Sequence, residues 1–457
     1  MSAVPKVGFH EFRTYAGHPG RDGANFAYAE LGLLLKASDR IAARPHDLLD
    51  LCRDDRAARD ALAGCDTVLA TVGPHAYFYY YLRERLGLRF RIVRDVRTAL
   101  WNGYLLQESL CAAYLRPEDS LIHSSAYSSA LFRRLFPGTP PDSHQVCYPL
   151  LRWFPAAAAG TWRGSRPSKT TLIGYVGRLT EDKNFAQALD LLSRLRRRST
   201  DVRLQAVGEA QHPPRARPGF EWVPKVDREE LWHRYAAFDV LFFPSTSTLE
   251  TFGRVLVEAS HVGVPILASC HGATTELLDQ EALLPTAYHT GRRFTAHLAA
   301  PLGEVDVETA VRRLLDGPPV PASTGYTRYR DHPGYLIDIL AEGNAAGRDR
   351  TPSPTPQQAA FVDSVRMQGL DIPATTRNAD AVIAVLRDRF VTLHRRGHPR
   401  YWLTLADLLY RSRYRAKTAK FAYHSAVHGQ DFTNIGGIDL QLSHLPAFYP
   451  SFTLAPA

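Results

Sequence analysis

Short apolar runs alternate with helix-period segments along most of the chain. In the first half, residues 6–12 predict a strand and 26–36 a helix. A helix follows at 54–63, then a buried strand at 66–72 (DTVLATV), a helix at 76–86 and a strand at 90–93. A short strand (SLIH, 120–123), a helix at 126–136 and a strand at 146–150 close this half. The second half repeats the pattern, with strands at 172–176, 202–207, 220–223 and 239–244 and helices at 185–197 and 228–238. The next helix starts near Phe252 and is stopped by Gly263 and Pro265; a buried strand at 265–268 and a helix at 307–315 follow. Strands alternating with helices imply parallel sheets covered on both faces.

Residues 155–170 (PAAAAGTWRGSRPSKT) are small, polar and proline-containing, and divide the two series as a linker. The expected organisation is α/β, with two Rossmann-like domains at 1–155 and 168–320 facing each other across a cleft. Residues 321–457 form a cross-over segment and a mainly helical extension. The tyrosine-rich run at 77–81 reads as packing on a helix.

With 457 residues, 45% of them hydrophobic and 22% charged, the chain has material for more than one core. The formal net charge of +9 comes with frequent alanine and far more arginine than lysine. A GC-rich bacterial genome explains that balance, so nucleic acid is not expected as a partner. Five scattered cysteines without a C-x-x-C pair argue against a disulfide framework or a zinc site, and fit a reducing cytoplasm. No stretch of about 18 apolar residues occurs, so no membrane span is expected; peripheral membrane contact stays open.

The chemistry concentrates in residues 242–278 (FFPSTSTLETFGRVLVEASHVGVPILASCHGATTELL). Glu250 precedes the predicted helix and Glu258 lies about two turns into it, an offset of roughly 9 Å at ~1.5 Å rise per residue. Between them, the amides of Phe252, Gly253 and Arg254 form a helix start suited to phosphate or a developing anion. Glycine at 253 lets a ligand approach the backbone. About 70 residues upstream, the loop after the strand at 172–176 carries Gly177, Arg178 and Lys183. A guanidinium and an ammonium there can neutralise a leaving pyrophosphate without a metal ion. Two acids, an anion cradle and two cations suggest a clamp for a nucleotide sugar.

In the first half, active residues are expected past the strand ends. This selects His75, Arg94, Asp95, Arg97 and His123, and the glycine-rich loop containing Gly17, Gly20 and Asn25. That loop lacks the G-x-G-x-x-G spacing of a dinucleotide site.

The segments GYVGRLTEDKN (174–184), AVGEA (206–210), VPKVDREELWHRYAAFDVLFFPS (223–245), ETFGRVLVEASHVGVPILAS (250–269) and GATTELL (272–278) resemble, in their order, a retaining GT-B glycosyltransferase of family 4, glycosyl transferases group 1. The resemblance covers roughly residues 170–290 and implies roles for matching positions. Arg178 and Lys183 would bind the donor diphosphate. Glu250 would hold donor-sugar hydroxyls, helped by the amides of Phe252 and Gly253, and Glu258 would hold the ribose. The backbone from Val223 to Val226 would hold the base. It also implies transfer with retention, by front-side attack and without a metal or other cofactor. The donor would be a nucleoside diphosphate sugar, with uridine favoured over guanosine. Where such proteins commonly carry His-Asp in the first domain, this chain has Arg94-Asp95. The acceptor-side catalytic group therefore stays open between Asp95 and His75. The acceptor is equally open among small molecule, glycan and lipid, as is an oligomeric state. Rival readings are a GT-B epimerase or phosphorylase, and a non-catalytic nucleotide-sugar-binding protein.

Overall fold

The computed structural model describes residues 3–11, 23–71, 76–96, 105–149, 154–160, 171–247, 249–291, 293–295, 300–316, 324–331, 335–344, 353–368 and 451–454, with isolated positions at 320, 379–380, 383–384, 387 and 391. The first series comprises β1 (Lys6–His10), α1 (Gly23–Ala37), β2 (Ala42–His46), α2 (Leu48–Arg53), α3 (Asp55–Leu62), β3 (Thr67–Ala70), α4 (Tyr77–Leu86), β4 (Arg91–Asp95), α5 (Leu105–Ala112), β5 (Ser120–His123), α6 (Ala126–Leu135) and β6 (His144–Val146). Its strands form one parallel sheet in the order β2-β1-β3-β4-β5-β6. β3 and β5 are buried along their whole length, as apolar strands covered on both faces must be. Tyr77 to Tyr81 on α4 are all buried, so the tyrosine run is packing.

Two strands depart from the expected pattern. β2 was not anticipated, because Arg44 and Pro45 break its apolar run; both are exposed and the strand is an edge of the sheet, where proline is tolerated. β6 begins at His144 instead of residue 146. Its polar start is buried because His144 Nδ1 meets His123 Nε2 at 3.0 Å and His144 Nε2 meets Thr139 Oγ1 at 2.9 Å.

The second series comprises β7 (Thr171–Val176), α7 (Phe185–Arg198), β8 (Val202–Val207), β9 (Phe220–Val223), α8 (Arg228–Ala237), β10 (Val240–Phe243), α9 (Arg254–Val262), β11 (Ile266–Ser269), α10 (Thr274–Leu277) and β12 (Leu283–Leu284). Its parallel sheet has the order β12-β11-β10-β7-β8-β9. The chain builds outward from β7 to β9, then restarts on the other side with β10. The loops after β7 and β10 therefore diverge in opposite directions and leave a crevice between them. In the first sheet the reversal lies between β1 and β3, whose following loops at 12–22 and 72–75 lie outside the described residues.

After β12 come β13 (Thr286–Tyr288), β14 (Arg293–Thr295), β15 (Gly303–Val305), α11 (Val307–Leu315), α12 (Gly325–Asp331) and α13 (Leu336–Glu342). Leu336, Ile339 and Leu340 of α13 pack with Val7, Phe9, Leu69 and Val93, so the chain crosses back to the first sheet. Arg91 Nη2 caps that helix, donating to Ile339 O at 2.6 Å and Leu340 O at 2.7 Å. α14 (Pro356–Ser364) leads into β16 (Val365–Gln368), where helix was expected. β16 pairs antiparallel with β17 (Ser451–Leu454), which pairs in turn with β14. A partner more than 80 residues away is not visible in local periodicity. Among the described residues no helix is long and apolar enough to cross a membrane.

Candidate functional site

The crevice between β7 and β10 brings together Arg178, Lys183 and Glu250 of the residues singled out in the second half of the sequence. The loop after β7 opens with Gly177, whose amide donates to Val207 O at 3.0 Å. Gly208, at the end of β8, lies against it with φ 152°. A Cβ there would fall 1.9 Å from Gly177 O, so the two loops can approach only as glycines. Beyond Gly177, Arg178 Nη2 pairs with Asp182 Oδ2 at 3.0 Å, and Ser247 Oγ, from the loop after β10, donates to the same oxygen at 3.3 Å.

Asn184 ties the two loops more firmly. It is the only non-glycine residue with positive φ among those described, at 54°. Its buried Nδ2 lies 2.9 Å from Pro244 O, 3.0 Å from Thr246 Oγ1 and 2.9 Å from Gly303 O. Asparagine is among the residues that tolerate left-handed backbone. Asn184 had no role assigned from sequence, although its position between a loop and a helix start was a usable signal.

Lys183 Nζ donates to Glu250 Oε2 at 2.6 Å, and Ser245 Oγ donates to the same oxygen at 3.3 Å. The lysine and glutamate side chains retain 19% and 13% of their exposure, so the pair is sheltered but reachable. Burial opposes ionisation of Glu250. The charge and hydrogen bond of Lys183, with the Ser245 hydroxyl, outweigh it and hold the carboxyl below its usual range.

α9 starts at Arg254, two residues later than expected, with Gly253 as N-cap at φ 83° and no side-chain cap. Glycine is required there by the backbone itself, and a Cβ would also meet Leu256 Cδ1 at 2.9 Å. The first-turn amides thus form an uncapped helix start beside Glu250. Phe252 is buried against Tyr148, with ring centroids 5.2 Å apart.

Glu258 is more deeply held than a surface acid, at 3% exposure. Its Oε1 accepts from Arg254 Nε at 2.6 Å and Arg228 Nη1 at 2.8 Å, and its Oε2 from Tyr235 OH at 2.9 Å. Burial is again overcome, by the two arginines, and the carboxyl stays below its usual range. A carboxylate has about four acceptor positions; three are used, leaving one on Oε2. Val223 and Val226 pack on the core beside this network, and Val223 O accepts from Gly208 N at 3.0 Å.

The first-domain candidates fare differently. Arg94 is fully buried, with Nη2 2.6 Å from Glu108 Oε1 and Nη1 2.9 Å from Ala70 O. It is an internal ion pair and is not presented to an acceptor, because its buried guanidinium is taken up by Glu108, Ala70 O and Asp95 O. His123 is likewise buried, bonded to His144 and packed against Phe132, and burial keeps it neutral. Asp95 ends β4 and is buried. Gly17, Gly20, His75 and Arg97 lie outside the described residues, as does the side chain of Asn25.

His271 was missed. It lies just past the C-terminal end of β11, and that position is its signal in the sequence. It is buried, with Nδ1 3.2 Å from Tyr288 OH, Nε2 without a hydrogen-bond partner, and the ring 5.4 Å from that of Tyr127. Burial pushes it down to about 4, against the pull of Glu250. Also missed were Ser124, Ser125 and Ser128 at the start of α6, whose hydroxyls reach Thr251 O at 3.2, 2.8 and 3.3 Å.

Residues 161–293 match the family model described as glycosyl transferases group 1. A phosphatidyl-myo-inositol mannosyltransferase of Propionibacterium freudenreichii is 29% identical over 158 residues, covering 34% of this chain and 39% of that one. A sulfoquinovosyl transferase of Arabidopsis thaliana is 29% identical over 132 residues, covering 27% and 24%. The chain thus matches less than half the length of these curated relatives. Among solved structures, Anabaena HepE in complex with UDP aligns with a TM-score of 0.51 and 15% identity, over 75% of this chain and 98% of that one. That protein in complex with UDP and glucose aligns with a TM-score of 0.50, over 76% and 100%. These likenesses bear on the fold. Over the matched segment the chain is thus similar to the glycosyl transferases group 1 family, and its two parallel six-stranded sheets share the GT-B frame of the HepE structures.

Proposed function

We propose that the protein moves a hexosyl or N-acetylhexosaminyl group from a UDP-sugar to an acceptor hydroxyl, with retention at the anomeric carbon and without a divalent metal. The observation that carries this reading is the Lys183–Glu250 pair at the point where the second sheet reverses. It sets a cation for phosphate and an acceptor for sugar hydroxyls side by side, at an uncapped helix start. Support comes from the transferases that the matched relatives are named as, and from UDP in the HepE complexes.

In this reading Arg178 and Lys183 take the diphosphate, Glu250 the donor-sugar hydroxyls and Glu258 Oε2 a ribose hydroxyl. The acceptor oxygen approaches C1 from the face the diphosphate leaves. Its bond to C1 forms as the C1–O bond to phosphate breaks, and the hydroxyl proton passes to the departing phosphate oxygen. Arg178 and Lys183 offset the charge gained by that oxygen. Asp95 is the candidate for orienting an acceptor hydroxyl supplied by a small molecule, a glycan or a lipid. Closing the cleft would exclude water and suppress donor hydrolysis.

A thermal-shift panel of UDP, GDP, ADP and TDP tests the donor class, since a ligand bound to the folded state raises its melting temperature. UDP is expected to stabilise most, with the effect unchanged by EDTA. A flat response to all four would overturn the reading. The anomeric configuration of a product, read by proton NMR, tests retention.

A further inference from the structure

We infer that Glu276 is a positioning residue that locks the start of α6, in the first domain, onto the loop that carries Glu250. The inference deepens the transferase reading and rests on it for its functional meaning. Glu276 belongs to the GATTELL segment, which the donor clamp leaves without a role.

Glu276 Oε2 accepts from Ala126 N, the first amide of α6, at 3.0 Å, and from Tyr148 OH at 3.3 Å. Its Oε1 lies 3.4 Å from Gln358 Nε2, and that same Nε2 donates to Gly272 O at 2.8 Å. A carboxyl oxygen at the amino end of a ten-residue helix satisfies an amide that has no partner within the helix. Here helix and carboxylate belong to different sheets, so an ordinary capping interaction becomes a tie between domains. A second, independent set of bonds lies beside it. Ser124, Ser125 and Ser128 converge on Thr251 O, the carbonyl directly after Glu250. Tyr148, which donates to Glu276, also packs on Phe252. The start of α6 thus grips the donor loop at its backbone, and Glu276 holds α6 in place to do so. Donor occupancy at Glu250 is thereby coupled to the seating of the first domain.

Hydrogen–deuterium exchange on the full chain, with and without UDP, tests this. In the wild-type protein, UDP is expected to slow exchange across residues 124–132 as well as 249–256. Glu276→Ala should speed basal exchange at 124–132 about tenfold, the loss of one hydrogen bond to a helix-end amide. UDP should still bind it within about twofold of the wild-type Kd, but should no longer protect 124–132. Glu276→Gln, which keeps an acceptor oxygen, should recover most of the protection. Ser124→Ala, which shortens the grip from the other side, should weaken the transmitted protection without touching Glu276. If UDP still protects 124–132 fully in Glu276→Ala, the inference is overturned. Uniformly faster exchange in both sheets, shared by Glu276→Gln, overturns it as well, because the residue would then serve general stability. Failure of the wild type to bind UDP would sink the donor reading, and leave the basal-exchange comparison as the test of the tie.

Discussion

Lys183 Nζ stands 2.6 Å from Glu250 Oε2, joining two loops that are 67 residues apart in sequence and emerge from neighbouring parallel strands. Without Lys183, Glu250 keeps its shelter and loses the charge that holds it ionised. Lys183→Ala should therefore lose about 2–3 kcal/mol of stability and weaken UDP binding by at least about tenfold. The double variant Lys183→Met, Glu250→Gln removes both charges. It should recover most of the stability in urea denaturation and none of the UDP affinity. Equal recovery of both would show that the pair serves folding alone.

Glu258 has one acceptor position to spare, on Oε2, beside the Tyr235 hydroxyl. If it receives a ribose hydroxyl, wild-type protein should prefer UDP over 2′-deoxy-UDP by about tenfold, the worth of one charge-assisted hydrogen bond. In Glu258→Gln that preference should largely vanish in calorimetric titration. An unchanged preference would move the ribose to other residues.

Arg94 and Glu108 form an ion pair closed off from solvent. Arg94→Ala leaves a buried carboxylate without its partner, and should cost about 3–5 kcal/mol in denaturant unfolding. Arg94→Met with Glu108→Leu should restore much of that loss. A stable Arg94→Ala with a raised acceptor KM would instead return this arginine to the acceptor side.

Glu276 carries a pH signature. Burial raises its carboxyl to about 7, prevailing over the amides of Ala126 and Tyr127 and the side chains of Gln358 and Tyr148; Arg328 lies alongside, bonded to Glu276 O at 3.5 Å. The folded protein therefore binds this proton more tightly than the unfolded chain, where such a group titrates at about 4.3. Its contribution to stability is full below about pH 4 and is lost as pH rises through about 7. Stability relative to Glu276→Gln should fall by about 2 kcal/mol between pH 5 and pH 8, after allowance for partial exposure. A difference independent of pH would mean the carboxyl is ionised throughout.

Much of the frame was legible because its cause is local. The buried strands at 67–70, 120–123, 202–207 and 240–243 are apolar runs bounded by turns, and their helices carry the matching period. The edge strand with Arg44 and Pro45 was not legible, since the exposure that permits those residues also erases the apolar run. β16 and β17 escaped for a different reason, that each is a strand only by virtue of a distant partner.

The sequence alone named Arg178, Lys183, Glu250 and Glu258 as the candidates for holding a nucleotide sugar, since they carry their charges wherever the chain puts them. Which of them meet was decided by tertiary structure. The order of the second sheet set the loops after β7 and β10 against one crevice, and the bonds of Asn184 to Pro244 O and Thr246 Oγ1 fixed their spacing. The same level of structure withdrew Arg94 and His123 into the interior, and brought Glu276 to the first amide of a helix 150 residues away. Charge and hydrogen-bonding capacity are properties of a residue. Burial and partnership arise only when distant segments pack, and they decide whether that capacity faces a ligand or another part of the chain.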